Sequence, residues 1–110
     1  MNNLKFLFLS EHEQETIILC LNVMQNNISA FTEYRDRIFI SAALPTAIAK
    51  IKTNSDLSSA EFTAALHSIE FCYKALHNTE PINKADLKKL QPYKKTIKFL
   101  YKTYGKILFM

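Results

Sequence analysis

A single glycine, Gly105, stands among 110 residues, with three prolines and no tryptophan. All-β domains place glycine in tight turns, and α/β folds use it where strands meet helices. Its scarcity argues against both and for a mostly helical chain, whose connections manage with Asn, Asp and Pro. Glycine loops that cradle phosphate are excluded on the same ground. The sequence holds no P-loop, GxGxxG, GxSxG or HExxH pattern. Its two cysteines, Cys20 and Cys72, lack CxxC spacing and fall on apolar helical stripes. They read as buried free thiols of a reducing compartment, with a disulfide or a reactive thiol as the alternative.

Long apolar runs are missing too. No stretch approaches the roughly 20 residues that a membrane helix needs. The run Leu4–Leu9 is interrupted by Lys5, followed at once by acids, and has no small-residue cleavage site. A leader peptide is not expected there. The reading is a soluble, cytoplasmic protein.

What is present is a globular balance of 48% hydrophobic and 22% charged residues, enough for one domain, 1–110, with one core. Charge is unevenly placed. Residues 1–80 carry six Lys/Arg against nine Asp/Glu, a net of −3, and residues 81–110 carry eight lysines against Asp86 alone, a net of +7. The basic balance comes wholly from the last thirty residues. Such asymmetry suits an acidic partner, or attraction between the two parts of the domain.

Periodicity and capping signals predict an all-α, compact bundle of five to six helices. Ser10 and Glu13 form a capping box, and Ile17, Cys20, Leu21 and Met24 recur behind it at helical spacing. Asn26 and Asn27 break that pattern. The second helix, 28–44, places Phe31, Tyr34, Ile38 and Ala42 on one face, with Glu33 and Arg37 as an i,i+4 pair. Leu44-Pro45 is expected to end it, and Pro45 to open a short third helix with Ile48 and Ile51 inward. Ser58 and Glu61 begin a fourth helix carrying Phe62, Ala65, Leu66, Ile69, Cys72, Tyr73 and Leu76, closed by His77-Asn78 and Pro81. The openings "LSEHE" and "LSSAE" match at an offset of 48 residues. A duplicated unit is one explanation, and the generality of capping chemistry is the other. A short fifth helix precedes Pro92, and a sixth runs from Pro92 to a C′ stop at Gly105. The apolar termini "LKFLFL" and "KILFM" offer a minor two-stranded ribbon.

Candidates for chemistry are few. His12 lies beside Glu11 and Glu15, and His67 lies three residues before Glu70. The order is His-x-x-Glu, whereas di-metal bundles carry Glu-x-x-His with further inward glutamates, so solvated helix flanks are the reading. Neither cysteine has a base near it in sequence, as nucleophilic catalysis requires. No catalytic, cofactor or metal residue is assigned, and the protein is read as non-enzymatic.

The basic segment 93–106 resolves into two faces at 100° per residue. Ile97, Leu100, Tyr101, Tyr104 and Leu108 lie within about 80° of Tyr93, with Lys94, Lys95, Lys98, Lys102 and Lys106 opposite. Phe99 lies apart, between Thr96 and Lys102. With most aromatics on the apolar stripe, a surface that stacks bases between its charges is disfavoured. The exposed face offers lysine and threonine but no Arg, Asn or Gln to read base edges.

The candidate partner face is therefore Lys88, Lys89, Lys94, Lys95, Lys98, Lys102 and Lys106. The expected function is that of a small helical protein that binds and modulates another macromolecule, foremost a protein. Asn-, Ile- and Lys-rich usage fits an AT-rich bacterial or phage genome, and accessory proteins of mobile elements often have this size. The alternative is a non-specific nucleic-acid-binding accessory protein using the lysine face. A homodimer through leftover apolar residues, Phe39, Phe71 and Phe99, is a further expectation, and no cofactor is.

Overall fold

The computed structural model describes residues 10–27, 34–77 and 82–104, and of 34–40 the backbone only. Helix α1 spans Glu11–Asn27. Its capping box forms as expected: Glu13 N–H donates to Ser10 Oγ at 3.1 Å, and Ser10 N–H donates to Glu13 Oε1 at 2.8 Å. Ile17, Cys20, Leu21 and Met24 are buried, joined by Thr16 and Val23. The Thr16 hydroxyl is satisfied inside the helix by the His12 carbonyl at 2.7 Å.

Helix α2 spans Tyr34–Lys52 and contains Pro45. The expected break at Leu44-Pro45 does not occur, and the second and third expected helices are one. Pro45 and Ser41 are both exposed. The proline leaves the Ser41 carbonyl without its helical donor, and both residues lie on the exposed side of α2. Continuity places Leu44, Ala47 and Ile51 inward with Ile48 half-buried, an i, i+3, i+4, i+7 face packed on α1 and α3. Ala42, expected on the core face, is exposed, and its neighbour Ala43 is buried. Packing of one continuous apolar face overrides the local preference.

Helix α2 then ends without glycine. Asn54 takes φ 55°, its N–H donates to the Ile51 carbonyl at 3.1 Å, and the Ser55 N–H donates to the Lys50 carbonyl at 2.8 Å. These two bonds make a Schellman motif with Asn at the left-handed position. This is how a glycine-poor chain turns here.

Helix α3 spans Ser59–Leu76 with both halves of its Ser58/Glu61 capping box in place. It touches all four other helices. Sequence periodicity predicts one stripe, and that stripe is present, with Tyr73 half-buried at its edge. Ala64, Ser68, Phe71 and Ala75 are buried as well, because a central helix has neighbours on nearly every side. Phe71, at 4% exposure, is thus core and offers no dimer contact.

The rest is an arm. Helix α4 spans Lys84–Leu90, a 3₁₀ turn covers Gln91–Tyr93, and helix α5 spans Lys94–Tyr104. Pro92 sits in the 3₁₀ turn, which follows the end of α4 at Leu90 and leads directly into α5. Four helical bodies result: α1, α2, α3 and the arm. The described residues contain no strand. Leu90, Ile97 and Leu100 are fully buried and anchor the arm. Tyr101 stacks on Tyr73 of α3 with ring centroids 4.2 Å apart.

A polar node fixes the start of the arm. Asp86, 2% exposed, accepts from Asn83 Nδ2 at 2.6 Å and Asn27 Nδ2 at 2.8 Å. Asn83 caps α4 by accepting from the Asp86 N–H at 2.8 Å, and its own N–H donates to Asn27 Oδ1 at 3.2 Å. The end of α1 is thereby tied to the start of α4. The terminal ribbon, the start of the second helix with Phe31 and Glu33, the Asn78 and Pro81 stop signals, and Gly105 lie outside the described residues, as do the side chains of Tyr34, Arg37, Ile38 and Phe39.

Candidate partner-binding face

The arm presents two sides, as its sequence implies. Ile97 and Leu100 are buried and Tyr93, Tyr101 and Tyr104 half-buried, whereas Lys94, Lys95, Lys98 and Lys102 are exposed. Lys88 and Lys89 are exposed on α4. Lys106 lies outside the described residues. Lys89 approaches Asp86 Oδ1 at 3.8 Å. Among the described residues, none of Lys88, Lys94, Lys95, Lys98 and Lys102 pairs with a carboxylate.

That arrangement works against the helix. Lys94–Lys98 and Lys98–Lys102 are like-charge i,i+4 pairs, each destabilising by about 0.2–0.5 kcal/mol. The buried Ile97 and Leu100 and the tyrosine stack hold α5 in place regardless. Two acids of the body, Glu61 and Glu70, are paired within it. Glu61 receives Lys50 Nζ at 2.8 Å, a contact that ties α2 to α3. Burial pushes the Glu61 carboxyl up, but the Lys50 ammonium, the Ser58 N–H and the Thr46 and Ser58 hydroxyls outweigh it and hold its pKa at about 2. Glu70 lies 3.8 Å from His67 and 3.7 Å from Lys74, and the hydrogen bond from His67, with the Lys74 charge, holds its carboxyl below the usual range against the effect of burial.

The two histidine–carboxylate groups do not converge. His67 is engaged on α3 itself, whereas His12 turns to α5, with Nε2 2.8 Å from Thr96 Oγ1 and its ring stacked on Tyr93 at 5.5 Å. Among the described residues no three His, Cys, Asp or Glu side chains gather to hold a metal ion. The cysteines do meet: Cys72 Sγ donates to the Cys20 carbonyl at 3.8 Å, and both are buried free thiols. Burial, then Cys20 beside it, pushes the Cys72 thiol well above the ordinary range. The thiolate that a nucleophile requires is disfavoured there.

One feature of the face is visible in the sequence, Phe99, and one is not, the depression beside it. Phe99 is 55% exposed, the only large hydrophobic residue so exposed among those described. It walls an open depression of 290 Å³ with Ser10, His12, Glu13, Lys95 and Thr96. The depression forms where the start of α1 meets α5, contacts 84 residues apart in the chain. A helical wheel places Phe99 beside Lys95 and Lys102 but carries no information about α1. No described helix is long and apolar enough to cross a membrane. Compared with protein-family models, with curated proteins and with solved structures, the chain matches none.

Proposed function

We propose that this chain is a small non-enzymatic helical protein that binds and modulates another macromolecule, engaging an acidic surface through the outer face of the arm. The observation that carries this reading is the unpaired charge. Lys88, Lys94, Lys95, Lys98 and Lys102 are exposed without a carboxylate partner among the described residues. Repulsion among Lys94, Lys98 and Lys102 opposes the helix they sit on. A surface that is a net burden to its own fold and strongly positive is suited to long-range attraction of an anionic partner. A small-molecule site buries most of its ligand's surface, whereas the depression at Phe99, about 290 Å³, is open to solvent on one side. It suits an edge contact with a larger molecule better than enclosure of a substrate.

The test is affinity capture from the native host with the wild-type protein and with Lys94, Lys95, Lys98 and Lys102 changed together to Glu. Bound protein and nucleic acid are both analysed. A partner retained by the wild type, released by salt and lost with the variant is expected. Equal recovery with both proteins overturns the assignment of the face.

A further inference from the structure

The binding reading of the arm leaves the class of its anionic partner open, and the surroundings of Phe99 narrow it. On α5, Lys95 lies one turn before Phe99 and Lys102 one turn after, with Lys98 about 100° round the helix from it. The remaining described neighbours carry polar groups: Thr96, with His12 hydrogen-bonded to it at 2.8 Å, and the exposed Thr103. A protein partner would bury an anchor of this kind within a rim that excludes water, and protein interfaces are depleted in lysine. Among the described residues Phe99 has no such rim. An isolated aromatic face among lysines is instead the arrangement that takes an unpaired base and its phosphates.

We propose that the face binds single-stranded nucleic acid, with a base stacked on Phe99 and phosphates held by Lys95, Lys98 and Lys102. This rests on the reading of the arm as the binding surface. Glu13 lines the α1 side of the depression, and its Oε1 is held by the Ser10 N–H at 2.8 Å. Its charge turns the phosphate backbone toward the lysine side and leaves the uncharged base to reach over Phe99 toward His12 and Thr96. A duplex keeps its base faces stacked internally and cannot use Phe99, so single strands are preferred. The lysines are used on phosphates, and α5 carries no Arg, Asn or Gln to read a base edge, so binding tolerates any sequence.

The test is a fluorescence-anisotropy titration of labelled 20-mers of dT and rU, a duplex of equal length and poly-glutamate, over a salt series. The proteins are the wild type, Phe99→Ala, Phe99→Trp and the Lys95/Lys98/Lys102→Glu triple variant. Phe99 is exposed, so its variants leave the core intact, and circular dichroism checks that the triple variant is folded. Phe99→Ala is expected to weaken single-strand binding roughly 5- to 150-fold with the salt slope unchanged. The triple variant lowers that slope by about 2, at about 0.7 per phosphate contact on a single strand. Phe99→Trp, the sole tryptophan of the chain, retains binding and is quenched by the oligonucleotide. Unchanged binding by Phe99→Ala, or a duplex bound as tightly as the single strand, overturns the inference. Lysine-dependent binding of poly-glutamate without binding of either single strand overturns it too, but leaves the acidic-partner reading standing. Absence of binding to every polyanion at low salt overturns both.

Discussion

Replacing Asp86 by alanine removes the acceptor at the centre of the node that joins α1 to the arm. The carboxylate is 2% exposed and receives two short bonds, from Asn83 Nδ2 at 2.6 Å and Asn27 Nδ2 at 2.8 Å, with Asn26 Nδ2 more distant at 3.5 Å. A hydrogen bond to a charged group contributes about 1.5–3 kcal/mol net, and a buried donor left unmatched costs about 1–3 kcal/mol. Asn27 is itself buried but keeps its bond to the Val23 carbonyl at 2.8 Å, so only its second N–H is orphaned. The Asp86 N–H still caps onto Asn83. Together these give a loss of about 3 kcal/mol, a large share of the roughly 5–15 kcal/mol typical of a domain. Urea unfolding followed by helical circular dichroism reads this as a lower midpoint at unchanged slope. Asp86→Asn can turn its remaining oxygen toward Asn27 and Asn83 and is expected to lose about half as much. The cycle of Asp86→Ala with Asn27→Ala should show a coupling of at least about 1 kcal/mol. A loss below about 1 kcal/mol for Asp86→Ala, or additive single losses, would refute the assignment of the node as the clamp.

Two further outcomes concern the body. Glu61 has its pKa lowered from 4.5 to about 2, so its stabilisation is complete above about pH 4.5 and is lost as pH falls toward 2, amounting to about 2–3 kcal/mol after allowance for the half-exposed Lys50. Unfolding measured from pH 2 to 6 should be steeper for the wild type than for Glu61→Gln, and parallel profiles count against the Lys50–Glu61 contact. Pro45→Ala restores an N–H within α2 and removes the ring, worth up to about 3 kcal/mol, less about 0.4–1 kcal/mol for the freer unfolded chain. A rise of about 1–2 kcal/mol in urea stability is expected, whereas a fall would mean that Pro45 supports the helix it interrupts.

Local signals in this chain are reliable where the interaction itself is local. Both capping boxes span three residues and form as their sequences imply. The two sides of α5 follow from its periodicity for the same reason. Readings that depend on distant neighbours go astray. Pro45 looks like a terminator until Leu44, Ala47 and Ile51 are seen packed on α1 and α3. Asn27 looks like a helix breaker, yet it is a buried partner of Asp86, 59 residues on. Phe71 looks surplus to its stripe, but α3 has partners on the side it faces. Phe99 is legible as the odd aromatic on the lysine side, whereas the depression beside it requires the start of α1.

The division of labour along the arm makes the binding reading separable from stability. Ile97 and Leu100 are fully buried and Tyr101 stacks on Tyr73, so these residues dock α5 on the body. Phe99 and the lysines take no part in that docking among the described residues. Removing a lysine even relieves repulsion between like-charged i,i+4 neighbours. A single lysine-to-glutamate change at Lys98 should therefore leave the fold as stable as before or slightly more so, and changing the lysines together exchanges like-charge lysine pairs for like-charge glutamate pairs and leaves stability about as it was. Loss of partner binding by such a variant is then a statement about the surface and not about folding. Ile97→Ala would mix the two, because a fully buried isoleucine contributes about 2–5 kcal/mol to the core.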